Sequence, residues 1–253
     1  MNEGVRIIKV KRYPSGCKKI DDLLGGGFEV GTVTQLFGEP GSGKTNICLQ
    51  LAIETVKRGK KVVYIDSEGF SPERFDQIAG DGVENIAKDV IIYEPLNFEQ
   101  QYSAIKDIEK MIDNVGMIIN DSAVSFYRFE LDEERGIELK RELANQIACL
   151  LQLARKYDVA VVITNQIYMD ADSGKFHPVG GNMVEHLSKT IVQLEKLEDG
   201  KRRAILLKHR SRPEGISCEF VLTQDGVRDV SKTYKTREDH SGHSEEEEEK
   251  KDE

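Results

Sequence analysis

A chain of 253 residues, 38% hydrophobic and 32% charged, has enough apolar material for one core or at most two, under a polar surface. Its formal net charge of −9 excludes a protein coated in positive charge for nucleic acid. No apolar run approaches the roughly 18 to 20 residues that span a bilayer and MNEGVRIIKVKRY lacks a signal core, so the sequence predicts a cytoplasmic protein without membrane contact.

Cys17, Cys48, Cys149 and Cys218 form no C-x-x-C pair, which removes the zinc knuckle and the dithiol redox motif and predicts reduced thiols. In chain order, TVTQLF (32–37), KVVYID (61–66), VIIY (90–93), GMIIN (116–120) and VAVVIT (159–164) are short continuous apolar runs. Strands covered on both faces read this way. Helical patterns fill the spaces at 44–58, closed by Gly59, at 98–113 and from about 133 to 157. That alternation predicts an α/β fold with a mostly parallel central sheet flanked by helices. After Thr190 the pattern turns to TIVQLEKL, RRAILLKH and SCEFVLTQDGVRDV, joined by the turns Asp199-Gly200 and Asp225-Gly226, and predicts antiparallel hairpins extending one edge. From 231 onward five Lys/Arg face nine Asp/Glu with almost no apolar residue, so 231–253 reads as a disordered acidic tail; the isolated pair His240 and His243 there is a weak metal signal.

The stretch GEPGSGKTN follows a predicted strand and opens a predicted helix, the context of a phosphate loop. Gly38, Glu39, Pro40, Gly41, Ser42, Gly43, Lys44, Thr45 and Asn46 are its candidate nucleotide-binding residues. Backbone N–H groups converge on phosphate oxygens, Lys44 neutralises the terminal phosphates and Thr45 offers a hydroxyl to magnesium. Asp121, at the end of GMIIND, is the second candidate magnesium residue; strands also end in Asp simply as a helix cap. Glu68 in YIDSEGF is the candidate to activate or position water, against the alternative of a solvated loop carboxylate, and Gln166 at the end of VVITNQ is placed to sense a γ-phosphate. The segment 201–215, KRRAILLKHRSRPEG, holds six Lys/Arg and no acid through Arg212. Arg210 and Arg212 are therefore candidate phosphate contacts, with solvated edge-strand positions as the alternative.

These features in this order, preceded by LLGGGFEVGTVTQLFGEPGSGKT, resemble the RecA-type recombinase core from about residue 13 to 230. YIDSEGFSPERF resembles the archaeal and eukaryotic signature carrying the catalytic Glu. The resemblance implies an ATP- and magnesium-dependent RecA-like core over 1–230, with Glu68 activating water, Gln166 coupling nucleotide state to a DNA loop, and Arg74 stacking on adenine. It places the first DNA-binding loop at 126–136, with Arg128 and Arg135, and the second at 177–186, where Gly180 and Gly181 make a mobile segment. Asn120 stands where the family usually has an apolar residue. Only 37 residues precede Gly38, too few for the family's N-terminal helical DNA-binding domain and polymerisation linker, and HRSRPEG resembles the short archaeal paralogues of the family.

The implied function is a weak ATPase, not stimulated by DNA, that binds single-stranded or branched DNA. It regulates the main archaeal recombinase RadA and contacts junction-cleaving enzymes, alone or as a homo-oligomer. Two alternatives stay open: a self-sufficient DNA-dependent ATPase recombinase, and a clock-type signalling ATPase without a DNA role. TNQI lacks the Asn-Lys-x-Asp guanine signature, which disfavours a GTPase.

Overall fold

The computed structural model describes residues 10–132, 134–169 and 176–230; the acidic tail and its histidines lie outside the described residues. A short pair, β1 (Arg12–Tyr13) with β2 (Phe28–Glu29), brackets helix α1 (Lys18–Leu23). Then follow β3 (Val33–Gly38), α2 (Lys44–Val56), β4 (Lys61–Asp66), α3 (Pro72–Ala79), α4 (Val83–Ala87), β5 (Val90–Tyr93) and α5 (Phe98–Asp107), the last running on as a 3-10 turn. After β6 (Val115–Asp121) come α6 (Ser125–Glu130), α7 (Gly136–Tyr157), β7 (Ala160–Asn165) and the hairpin β8 (Ile167–Met169) and β9 (Phe176–Pro178). The chain ends its described part with α8 (Asn182–Leu187), β10 (Thr190–Lys196), β11 (Lys201–Lys208), β12 (Ser217–Thr223) and β13 (Gly226–Asp229).

Nine strands form one sheet in the order β13-β12-β11-β10-β3-β7-β6-β4-β5. Strands β10, β3, β7, β6, β4 and β5 are parallel neighbours, and β11 to β13 add to β10 antiparallel. The continuous apolar runs arise because alternate residues feed two cores. Val62, Tyr64, Met117 and Ile119 face α1, α2 and α3, whereas Val63, Ile65, Ile118, Val161 and Ile163 face α5 to α8. Each such fully buried Ile or Val contributes roughly 1.5–3 kcal/mol relative to exposure.

Four elements differ from the sequence reading. TIVQLEKL is not a hairpin extension on both sides: β10 lies parallel to β3 and only its other edge meets β11 antiparallel. RRAILLKH is an interior strand, hydrogen-bonded to β10 and β12, not an edge. The stretch 126–136 is helical in its first part, because buried Tyr127 packs on Phe98 with ring centroids 6.3 Å apart and pins α6 to α5. The long helix α7 begins at Gly136, later than the apolar pattern suggested, after a turn in which Asp132 accepts from the Arg135 amide at 2.6 Å.

Candidate nucleotide site at the carboxyl edge of the sheet

Strands β3, β7, β6 and β4 lie side by side, so the residues just past their carboxyl ends are neighbours. The phosphate loop leaves central β3. A Cβ on Gly38 would lie 2.1 Å from the Leu194 carbonyl of β10, so only glycine lets the loop start there. Gly43 precedes α2 in a left-handed conformation and gives it no side-chain cap, unlike Ser71 before α3 and Asn97 before α5. The first N–H groups of α2 are therefore available to an anion. Buried Ser42 Oγ in the same loop has no partner among the described residues.

Buried Lys44 donates to the carbonyls of Gly38 at 2.8 Å and Glu39 at 3.0 Å. Burial pushes its pKa down, opposed by the nearby carboxylates of Glu68 and Asp121. Asp121 is buried and accepts from the hydroxyls of Tyr64 at 2.7 Å and Thr164 at 2.5 Å, with the Thr45 side chain close by. Burial raises its pKa, and the neighbouring hydroxyls pull the other way. Neighbouring Asn120 is buried between Ile65 and Ile163, and neither of its amide atoms has a partner among the described residues.

Glu68 is aimed by a turn. The Asp66 carboxylate accepts the backbone amides of Gly69 at 2.9 Å and Glu68 at 3.4 Å, and Ser67 exchanges two 2.9 Å hydrogen bonds with the Ser122 backbone. Gln166 donates through Nε2 to Glu68 Oε1 at 2.8 Å, while its Oε1 accepts from Arg128. Lys44, Thr45, Asp121, Glu68 and Gln166 thus meet at one place.

Arg74 lies beside them. Its guanidinium donates to Asn46 Oδ1 at 2.6 Å and to the Thr223 and Gln224 carbonyls at 2.8 Å each, tying α2 and α3 to the β12–β13 turn. At the loop apex, Arg202 donates to the Gly41 carbonyl at 3.4 Å, and Lys196 lies 4.0 Å from Glu39. These two cations are cross-strand partners, and sequence reading assigned neither to the site. Tyr64, Thr164, Ser67 and Asp66 were missed too; in the sheet register Asp66 is the residue beside Asp121, while Tyr64 stands opposite Ile119 and reaches the carboxylate with its long side chain.

The candidate DNA residues fall in separate places. Val179 is fastened at both backbone groups, its N–H to the Gln166 carbonyl at 3.1 Å and its C=O from Asn165 Nδ2 at 2.8 Å. Gly180 follows with φ +95°, and a Cβ there would lie 2.8 Å from Val184 and 2.9 Å from Leu143. Its glycine is required by packing against α7 and α8, a physical reason different from the expected mobility, whereas Gly181 faces open space. Arg128 and Arg135 flank α6 with Glu130, Asp132, Glu134 and Glu138 close to them in sequence, an acidic surround for a phosphate contact. Arg210 pairs with Glu29 at 2.8 Å and Arg212 donates to the Asp22 carbonyl. Because β11 runs antiparallel to β10, both lie past its far end, away from the phosphate loop.

The Rad51 family model matches residues 6–230. The chain belongs to the Rad51 family. The protein called DNA repair and recombination protein RadB in Methanococcoides burtonii is 62% identical over 216 residues, which are 85% of this chain and 96% of that protein. Its counterpart in Methanoculleus marisnigri is 49% identical over 227 residues, 88% of this chain and all of that one. A solved crystal structure of the RadB recombinase superposes with a TM-score of 0.76 at 36% identity, covering 87% of this chain and 100% of that one. The fold is therefore RecA-like, within the RadB group of DNA repair and recombination proteins. Among the described residues no helix is long and apolar enough to cross a membrane.

Proposed function

We propose that residues 1–230 form one ATPase core that binds ATP with magnesium, hydrolyses it slowly, binds DNA and regulates a partner recombinase rather than exchanging strands itself. The observation that carries the nucleotide part is the meeting of Lys44, Thr45, Asp121 and Glu68 beside the uncapped start of α2.

The residues fit the ligand. The free N–H groups of α2 and the unpartnered Ser42 hydroxyl suit phosphate oxygens, and Lys44 exchanges two loop carbonyls for them. Thr45 and Asp121 would hold magnesium, which supplies neutralisation of the phosphate charge. Arg74, fixed on Asn46, offers its guanidinium plane to the base. Glu68 has only Oε1 engaged among the described residues, which leaves Oε2 to orient a water, and Gln166 holds the carboxylate for it.

The regulatory part rests on charge. Between residues 126 and 138 four carboxylates of described residues, Glu130, Asp132, Glu134 and Glu138, oppose the two guanidinium groups of Arg128 and Arg135, a weak phosphate surface for a protein that must grip a strand along its length. DNA contacts are assigned to Arg128, Arg135 and the Gly180-Gly181 segment, with Arg210 and Arg212 as a second patch. RadA and junction-cleaving enzymes are the partners this reading implies. Steady-state ATP turnover with and without single-stranded DNA, blanked with Lys44→Ala, tests it. Slow turnover indifferent to DNA is expected, and strong stimulation would make the chain a working recombinase motor.

A further inference from the structure

The antiparallel extension of the sheet walls the phosphate loop from outside, and its strands meet the loop glycines in turn. Gly38 lies under the Leu194 carbonyl of β10, a Cβ on Gly41 would lie 3.9 Å from Lys196 Cδ, and Gly43 faces Phe220 and Leu222 of β12. The loop apex is a turn. The Ser42 N–H donates to the Glu39 carbonyl at 3.1 Å, with Pro40 in second place and Gly41, at φ +76°, in third. The Gly41 carbonyl belongs to the same peptide plane as that Ser42 N–H, and it accepts from Arg202 of β11 at 3.4 Å. One plane is thus held at both of its polar ends. The Arg202 guanidinium also donates to the Gly200 carbonyl, which ties the loop apex to the tip of the β10–β11 hairpin. Glu39 is the acid of the loop, and Lys196, the cross-strand partner of Arg202, lies 4.0 Å from its carboxylate.

We propose that Arg202 and Lys196 are positioning residues for ATP: from outside the phosphate loop they hold its apex in shape and offset the charge of Glu39. This deepens the ATP-binding reading above and rests on it. A loop held in this way meets the phosphates already formed, so binding does not carry the cost of ordering it. With Glu39 offset, the positive charge of Lys44 and the dipole of α2 act on the phosphates without a competing carboxylate. Neither cation has a hydrogen bond to Glu68 or Gln166 among the described residues, so the hold acts on nucleotide affinity and not on the group that orients water.

The test is the equilibrium affinity of the full chain and its variants for a fluorescent ATP analogue with magnesium, beside single-turnover hydrolysis at saturating nucleotide and the melting temperature without nucleotide. Arg202→Gln is expected to weaken affinity by about three- to tenfold, the worth of one long and partly exposed hydrogen bond, with the loss in binding and little of it in the saturated rate. Lys196→Gln removes one member of an exposed pair; it is expected to weaken affinity by about twofold and to flatten the salt dependence of binding. Arg203→Gln is the control. It removes the same charge from the next position of β11, where the side chain pairs with Glu219 at 3.3 Å, and is expected to leave nucleotide affinity intact. A merely structural Arg202 would lower the melting temperature and leave the affinity of the folded protein as it was. That result, or an equal loss of affinity in Arg203→Gln, overturns the inference alone. If the parent protein binds no nucleotide, the underlying reading fails and the inference falls with it.

Discussion

The phenol of Tyr64 donates to Oδ2 of Asp121 at 2.7 Å, and Thr164 donates to Oδ1 from the opposite side. A carboxylate taken out of water between β4 and β7 thus receives neutral donors from both flanking strands, which also aim it at Thr45. Tyr64→Phe keeps the ring packing and deletes one donor. The expected cost is about 1–3 kcal/mol of stability in urea denaturation, with a parallel loss of magnesium-nucleotide affinity. Thr164→Val should act in the same direction. Unchanged stability in both would show that Asp121 does not depend on these hydroxyls.

The same carboxyl predicts a pH dependence. Burial raises the pKa of Asp121 above its ordinary 3.8, and burial does the same for Asp66. Between the ordinary and the raised value the folded chain binds more protons than the unfolded chain, so these groups make stability fall as pH rises through that window. Above it the ionised carboxylate is a standing cost that a bound cation relieves. Magnesium-nucleotide affinity should therefore fall as pH drops through the raised pKa, and Asp121→Asn should flatten both profiles. Nucleotide titrations across an acid pH series check this, and an Asp121→Asn profile parallel to the parent's would remove Asp121 from the site.

Much of the sheet was legible because a strand covered on both faces must be apolar throughout, so KVVYID marks β4 at its observed bounds; VIIY marks β5 as well, although as the edge strand it is only half-buried and leaves Ile92 exposed. The phosphate loop was legible because its chemistry is local in sequence. Tyr64, Thr164 and Arg202 were not, because each reaches the site through the sheet's lateral order, which periodicity does not encode. Nor was α6: a six-residue helix is fixed by tertiary contacts, among them Tyr127 on Phe98 and Glu130 accepting the Phe98 amide at 2.9 Å, and not by its own pattern. The interior place of β11 was hidden in the same way. Its charges at both ends, Lys201 to Arg203 and Lys208, suit an edge strand, yet Arg203 finds Glu219 on β12 at 3.3 Å.

Gly180 separates packing from DNA contact. Gly180→Ala sets a methyl group into Val184 and Leu143 at a positive φ, and should cost about 1–3 kcal/mol. Gly181→Ala meets no neighbour, and its cost of about 1–3 kcal/mol comes from the backbone alone, because φ +65° with ψ −162° is a conformation essentially confined to glycine. If the two variants lose DNA affinity only in proportion to lost folding, the pair is structural. A stable Gly181→Ala with weakened DNA binding would make the second glycine the one that approaches the strand.

Lys44 and Glu68 should separate binding from turnover. Lys44 is buried against the loop that would receive the phosphates, and its ammonium is the positive charge nearest to them. Lys44→Ala should abolish tight ATP binding. Glu68 touches the site through Gln166 and has no hydrogen bond to the phosphate loop among the described residues. Glu68→Gln keeps its shape and removes its basicity, so binding should survive within a few-fold while turnover falls by about 10²-fold or more. Equilibrium binding of a fluorescent ATP analogue beside single-turnover hydrolysis distinguishes the two effects. Equal loss of binding in both variants would mean that Glu68 holds the nucleotide in place and does not act on the water.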